Sequence, residues 1–463
     1  MEDNLTRMAT ASLERTTSTA PTLTTKATIS YWCKRANMAA WNNGAVAGGH
    51  DSGNTANNNW QVGFIDTDQF YLWNNGVSMN LISTRRARDT SAWYHVVWTL
   101  DSTQSTAADR AKLYINGVQE TVFSTANYPT QNGNFDMGRN GNAFRVGKYI
   151  NTSGSDYWFD GCLSHFHFID GTAYQASTFG STDATTGEWK INPTPSVNYG
   201  NNGVFLLKND NSNLDRSGNG LNFTMGGTVS KTEDNPSNVF AVLDTNNITL
   251  QGTSTYACGG TKFKNSSANW GSAISTLMPT SGKWYFESQV TDNNGQKFMM
   301  GICDMDKYPE WRWQSYPYFG YRGYCYYGDG KFIGTNSSGT TNSDITTSIT
   351  QTNNNDYIGM AVDLDNNKLY THINGTYVNY GGVQNPNTAA YPLDISYGRT
   401  TNGTVAFGIS TRDNYNMYVN FGNGSFNGVA LTGTTYQDSN SQGIFKYQPP
   451  TNFLALCTKN LNE

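Results

Sequence analysis

The chain has 463 residues, of which 37% are hydrophobic and only 14% charged, with a formal net charge of −5. Its length argues against a single core and for two or three domains; the slightly acidic balance leaves no basic face to neutralise phosphates, which excludes a nucleic-acid partner. Aromatic residues make up 13%, and 47 glycines accompany abundant Asn, Thr and Ser, a composition suited to short strands and turns rather than helices.

Taken in order, the first residues to about Thr28 are polar and Thr-rich. The start, MEDNLTRMAT, has neither a basic opening nor an apolar run, so it does not read as a secretory signal. No apolar run approaches the length of a membrane span, so no membrane insertion is expected. The first strand is Thr28–Arg35, with Ile29, Tyr31 and Cys33 on one face. Trp60–Asp66, Gln69–Gly76, Trp93–Asp101, Ala111–Thr121 and Ala143–Ile150 follow as strands. Tyr157–Gly171 reads as a longer one, alternating through Cys162, Ser164, Phe166 and Phe168. Short strands separated by turn signals are the pattern of a sandwich. From Thr172 to about Val242 the chain reads as irregular and packed on the first domain, because a free linker would not need Trp189, Phe205, Leu206 and Phe223; the connector proper is set at 191–245. A second strand series occupies 246–463, with Gly282–Val290, Lys297–Asp304, Asp356–Val378, Thr404–Ser410 and Met417–Gly422. Pro449-Pro450 marks an edge or a turn.

Two stretches say nearly the same thing. WYHVVWTLD at Trp93–Asp101 and AKLYINGVQET at Ala111–Thr121 parallel DYIGMAVDLDNNKLYTHINGTYV at Asp356–Val378. Each is a strand ending in Leu-Asp, a break, a strand opening on Lys-Leu-Tyr, and an Asn-Gly that supplies positive φ for a tight reversal. The fold expected is all-β: two concanavalin-like β-sandwich (jelly-roll) domains, at 1–190 and 246–463, joined by the connector. The six cysteines, Cys33, Cys162, Cys258, Cys303, Cys325 and Cys457, form no CxxC pair. They read as small buried hydrophobes in preference to a Cys33–Cys162 bridge.

Thr28–Arg35, Ser91–Asp101, Asp109–Gln119 and Phe159–Gly171 resemble the laminin-G-like, concanavalin-type jelly roll. More narrowly they resemble the version found in structural proteins of marine tailed bacteriophages, a likeness that continues through Phe179–Lys190, Leu214–Thr224 and Asp234–Phe240. GKWYFE at Gly282–Glu287, Tyr357–Asp365, Lys368–Gly375 and the closing Phe445–Leu461 are similar to SPRY domains. The resemblance implies a virion component, a tail fibre, tail tip or head fibre that touches the host surface, and implies no catalytic activity. It implies other virion proteins and a host receptor or glycan as partners, and a homo-oligomer, with a trimer favoured. A ligand-free architectural protein of head or tail is the alternative, and a polysaccharide depolymerase the weaker one.

The residues themselves narrow the chemistry. Glycoside hydrolysis needs two carboxylates across the scissile bond. Glu120, Glu188, Glu233, Glu287 and Glu310 are isolated, and Asp363 with Asp365 falls at a hairpin. His165 and His167 share a strand face but lack a nearby third metal ligand. The Asp/Asn-rich loops Asp363–Asn367 and Asn209–Asp215 offer oxygens to calcium, without regular ligand spacing. The tract Tyr308–Gly330 is dense in rings, and Trp311, Trp313, Tyr316 and Tyr318, flanked by Pro309 and Pro317, are the candidate ligand contacts. Exposed Trp and Tyr rings are rigid anchors that stack on sugar faces. Within Tyr324–Tyr327, alternation sends half of the side chains into the core.

Overall fold

The computed structural model describes residues 11–36, 38, 44–51, 58–151, 153–208, 213–227, 232–244, 254–291, 297–307, 323–335, 343–346 and 349–461. Contacts divide the chain into two units, Met1–Val229 and Ser230–Glu463. Each is a sandwich of two main sheets, so the chain is all-β; among the described residues the α-helix is a single turn, Thr458–Leu461.

In the first unit an eight-stranded sheet runs from Phe123–Asn127 at one edge to Thr224–Gly226 at the other. It faces a six-stranded sheet whose centre is built by β1 (Lys26–Arg35), β2 (Tyr94–Asp101), β3 (Ala111–Ile115) and β4 (Gly161–Asp170), in the spatial order β4-β1-β2-β3. Ile29, Tyr31 and Cys33 of β1, Val96 and Trp98 of β2, and Leu113 of β3 enter one core with Trp60, Phe64 and Leu72 of the opposite sheet. Period-two alternation of bulky apolar residues thus produces a dry interior.

The second unit repeats the plan. β5 (Lys283–Thr291), β6 (Tyr357–Asp363), β7 (Lys368–Ile373) and β8 (Tyr415–Asn420) lie side by side in the order β8-β5-β6-β7 within a nine-stranded sheet. The facing six-stranded sheet contains Gly271–Ile274, Val405–Thr411, Phe298–Asp304 and Gly323–Tyr327. Tyr324 and Tyr326 point into this core, while Cys325 packs in a separate cluster against which Tyr327 lies, as alternation requires.

Both hairpins close on Asn-Gly with positive φ at the two central residues: 48° and 77° at Asn116-Gly117, 50° and 83° at Asn374-Gly375. That is the turn whose twist matches paired strands. Asn116 Oδ1 accepts from the His95 amide at 2.8 Å, and Asn374 Oδ1 accepts from the Tyr357 amide at 2.9 Å. At the far end Lys26 pairs with Asp101 at 3.1 Å and Lys283 with Asp363 at 3.3 Å. These matches make His95 equivalent to Tyr357 and Asp101 equivalent to Asp363. The Leu-Asp and Lys-Leu-Tyr words of the two stretches are therefore out of step by two residues. Leu364-Asp365 lies beyond the end of β6. Two is the side-chain period of a strand, so Leu113 and Leu369 both still face their cores.

Two expectations change, while the preference for unpaired cysteines does not. The alternation read across Cys162, Ser164, Phe166 and Phe168 is broken, because the register shifts between Ser164 and His167, and His165 has a φ of 46°. This bulge leaves Phe166 and Phe168 in the core and turns Cys162 to the face of its ladder partner Lys34. Cys33 sits opposite Leu163, one position away from Cys162 and on the other face, and none of the six cysteines is joined in a disulfide. Finally, the stretch 191–245 divides. Val204–Leu206 extends the β4 edge and Phe223 joins the first core. Phe240, Ala241 and Leu243 are buried in the second unit, where the Ala241 amide donates to Leu456 O at 2.9 Å.

Candidate functional site

The face of β1–β4 turned away from the core is not open. Residues 172–199 cross it as a strap. Phe179 and Ala176 are buried there against Val97, Tyr114 and Ile169, with Tyr174, Trp189, Val197 and Tyr199 around them. The strap is fastened to the central strand by Thr28, whose hydroxyl accepts from the Tyr174 amide and donates to Thr172 O, both at 2.8 Å. Its far end is fastened by Trp189. The indole N–H donates to His95 Nδ1 at 2.9 Å, which leaves Nε2–H to donate to Ser30 Oγ at 2.9 Å. Trp32 stacks on the His95 ring with centroids 4.8 Å apart, and the Trp189 indole lies nearly parallel to His95 at 5.9 Å, joined to it by that hydrogen bond. Burial holds the His95 imidazole neutral, with its pKa lowered to about 3.

The second unit solves the same problem with different residues. Phe445, Phe453, Ala455 and Cys457 of the closing segment, together with Phe240, cover Tyr285, Ala361 and Tyr370. Here the central strand offers Glu287, fully buried, as the fastener. Its carboxylate accepts from the amides of Lys446 at 2.9 Å and Tyr447 at 2.7 Å, from Asn420 Nδ2 at 3.1 Å and from the Tyr285 hydroxyl at 3.1 Å. Gly375 N–H donates to His372 Nδ1 at 3.2 Å, so Nε2–H donates to Tyr285 Oη at 2.7 Å. The result is a buried chain of donors, His372 to Tyr285 to Glu287. Desolvation raises the Glu287 pKa to about 7 against four hydrogen bonds that lower it. His372 is lowered by burial to about 3.

The candidate ligand contacts Trp311, Trp313, Tyr316 and Tyr318 lie outside the described residues, as do residues 209–212 of one candidate calcium loop. Asp215, at the end of that loop, is taken up by the Phe205, Ser217 and Leu221 amides and the Ser217 hydroxyl. In the other loop Asp363 is neutralised by Lys283 and bonded to Asn366, and Asp365 accepts from the Gly282 amide. His165 and His167 both lie against the Phe205 ring, at 5.6 and 4.0 Å. Their Nδ1 atoms meet the Ser164 hydroxyl at 2.8 Å and the Tyr199 hydroxyl at 2.9 Å. Among the described residues no three His, Cys, Asp or Glu side chains cluster to hold a metal. None of the described helices is long and apolar enough to cross a membrane.

Both straps are held by Thr28, Ser30 and His95 in one unit and Tyr285, Glu287 and His372 in the other; of these the sequence singled out only Glu287, as an isolated carboxylate. The available signal was polar residues on the second face of strands otherwise read as one-sided.

Residues 10–178 match the family model described as the Concanavalin A-like lectin/glucanases superfamily. The first sandwich is therefore similar to concanavalin A-like domains. Among solved structures, the SPRY domain of human HERC1 aligns at 11% identity over 38% of this chain and 96% of that one, with a TM-score of 0.27. The TRIM65 PSpry domain aligns at 11% identity over 39% and 91%, with a TM-score of 0.23. No curated protein matches.

Proposed function

We propose that this chain is a structural component of a tailed-bacteriophage virion, a tail-fibre, tail-tip or head-fibre protein that adheres to the host surface and carries out no catalysis. The observation that carries the reading is the pair of straps. A sandwich that cleaves a polysaccharide lays the chain across an open sheet face between two carboxylates. In both units the outer face of the hairpin sheet is filled by the chain's own aromatic residues, and in the second unit the buried carboxylates on it are spent, Glu287 on backbone amides and Asp363 on Lys283 and Asn366. Recognition then falls to the loops that the sandwiches hold apart. The matched family description names lectins and glucanases, both of which handle glycans, and this supports a glycan as the ligand without deciding between binding and cleavage. Assembly as a homo-oligomer, a trimer by resemblance, would let weak sites act together, since multivalency raises avidity by about 10²–10⁴-fold.

The test has two arms. Antibody against the purified chain is used to label intact virions, and the purified chain is added to host cells before infection. Labelling of a fibre or tail tip together with reduced phage adsorption supports the proposal. Labelling of the head or tail with unchanged adsorption moves the protein to a ligand-free architectural role. Release of soluble sugar from host polysaccharide would replace adhesion by depolymerisation.

A further inference from the structure

The loop between Val378 and Leu393 is built more rigidly than a connection needs. Its two roots are pinned to β7. At one, the Gln384 side chain, 1% exposed, accepts from the Thr371 amide at 2.7 Å, while the Val378 amide donates to Thr371 O at 3.0 Å. At the other, Leu393 pairs with Leu369. In the middle, Asn385 and Ala390 exchange two backbone hydrogen bonds of 3.0 Å, and Asn385 Oδ1 accepts from the amides of Asn387 and Thr388. Asn387 Oδ1 accepts from the Thr451 amide at 2.9 Å, which ties the loop to the closing segment.

What this frame displays is an aromatic ring. Tyr391 lies flat against Gly382, so closely that a methyl group built there would overlap the ring. Yet Tyr391 is 52% exposed, so one ring face rests on backbone and the other is open. Val383, 61% exposed, is part of the same loop. Holding the ring there places Ala389 and Tyr391 at φ of 55° and 50°, in the left-handed region that residues other than glycine avoid. Pro392 narrows the choices of Tyr391 further. Strain retained at a pinned, solvent-facing loop is a mark of a functional position.

We propose that Tyr391, backed by Gly382, is a saccharide-stacking subsite that takes the C–H face of a neutral hexopyranose. The inference rests on the adhesive reading and gives it a location in the second sandwich. A phenol ring fixed on one side and bare on the other offers the flat apolar surface such a sugar face needs, with no rotamer left to freeze on binding.

The probes are cellohexaose and a β-linked galactohexaose, titrated by calorimetry and saturation-transfer NMR against the full chain, with adhesion to host cells measured in parallel. At least one hexaose binds the wild type. Tyr391→Ala weakens that binding about tenfold, the loss of one aromatic stack, while Tyr391→Phe retains it. Gly382→Ala, which keeps the ring but displaces it, weakens binding as Tyr391→Ala does; an unchanged melting temperature confirms the fold of each variant. Equal binding by Tyr391→Ala and the wild type overturns the site. Failure of both hexaoses to bind a chain that still adheres to cells overturns the hexopyranose assignment and leaves adhesion standing. Tyr391-dependent binding by a chain that does not adhere keeps the site and removes adhesion.

Discussion

The indole of Trp189 lies on Gly117. A side chain at Gly117 would occupy the space of that ring, and the residue's φ of 77° already demands glycine. In the second unit Tyr447 stands in the same relation to Gly375, where an added methyl would come within 2.9 Å of the phenol ring and φ is 83°. Each hairpin turn thus serves twice, as the reversal of the strand pair and as the seat for the strap. Gly117→Ala should cost about 2–4 kcal/mol, combining left-handed strain with displacement of a packed ring. Urea unfolding measures the loss. A cost no larger than that of an exposed glycine with negative φ would mean that the strap does not depend on the turn.

The fastener of the second strap makes a sharper prediction. Glu287 accepts from four donors and gives none, so a carboxylate is the species that satisfies them all. Glu287→Gln keeps the shape but turns an amide N–H₂ toward at least one donor. Charge-assisted bonds of this kind contribute about 1.5–3 kcal/mol each. The expected result is a loss of about 2–4 kcal/mol, with faster hydrogen exchange at the Lys446 and Tyr447 amides and unchanged exchange in the first sandwich. Exchange at those amides matching the wild type would show that packing alone holds the segment.

These contacts explain how far the sequence could be read. Alternation and Asn-Gly turns carry strand positions, because side-chain period and positive φ are local properties. The likeness of the two Lys-Leu-Tyr stretches overstated their equivalence, since a shift of two preserves the buried face and leaves no trace in the hydrophobic pattern. The bulge at His165 was hidden for a related reason: an extra residue in one strand becomes visible only when its partner strand is known. That the segment after Thr172 packs on the first domain was legible in Trp189, but the fastening of the straps was not. Their value depends on which side of which strand Thr28, His95 and Glu287 face, and on segments far away in sequence arriving there. Tyr391 looked like any loop tyrosine; its fixed position depends on Gly382 and on Gln384 bonding to β7, neither of which has a sequence signature.

A buried ion pair gives the third test. Arg35 and Asp68, with side chains 1% and 3% exposed, meet at 3.1 Å. Arg35 also donates to Ala87 O at 2.7 Å and lies over the Phe64 ring at 4.4 Å, while Arg88 Nε reaches the other Asp68 oxygen at 3.0 Å. Removing one partner strands a charge in the interior, which costs about 3–5 kcal/mol, whereas replacing both by apolar residues of similar volume is often close to neutral. Asp68→Ala should therefore destabilise the first sandwich by about 3–5 kcal/mol. Arg35→Met with Asp68→Leu should recover most of that loss. A double variant as unstable as the sum of the two single ones would show that Arg35 acts through Ala87 and Phe64 instead.

The last prediction is an order of unfolding in acid. In the first unit His95 and His165 are lowered by burial to about 3 and about 4, and His167 is lowered well below its ordinary value for the same reason. Unfolding releases each to about 6.5, so between that pH and the folded value the unfolded chain binds more protons. Stability is then full above about pH 6.5 and falls as the pH drops. Asp136, whose pKa burial raises, is one group that pulls the other way. In the second unit His372, lowered to about 3, behaves like the other histidines, but Glu287 has the opposite sign. Its folded pKa of about 7 lies above the ordinary 4.5, so the folded state takes up the proton first and gains stability as the pH falls from 7 to 4.5. The two effects offset each other there, whereas three histidines in the first unit add. Hydrogen exchange followed across pH 7 to 4.5 on the full chain should show protection lost first in strands β1, β2 and β4, with β5 to β7 holding. His95→Gln should flatten the pH dependence of the first unit while lowering its stability at pH 7. Earlier loss of protection in the second unit, or loss in both at one pH, would reverse the assignment of these groups as the acid-sensitive elements.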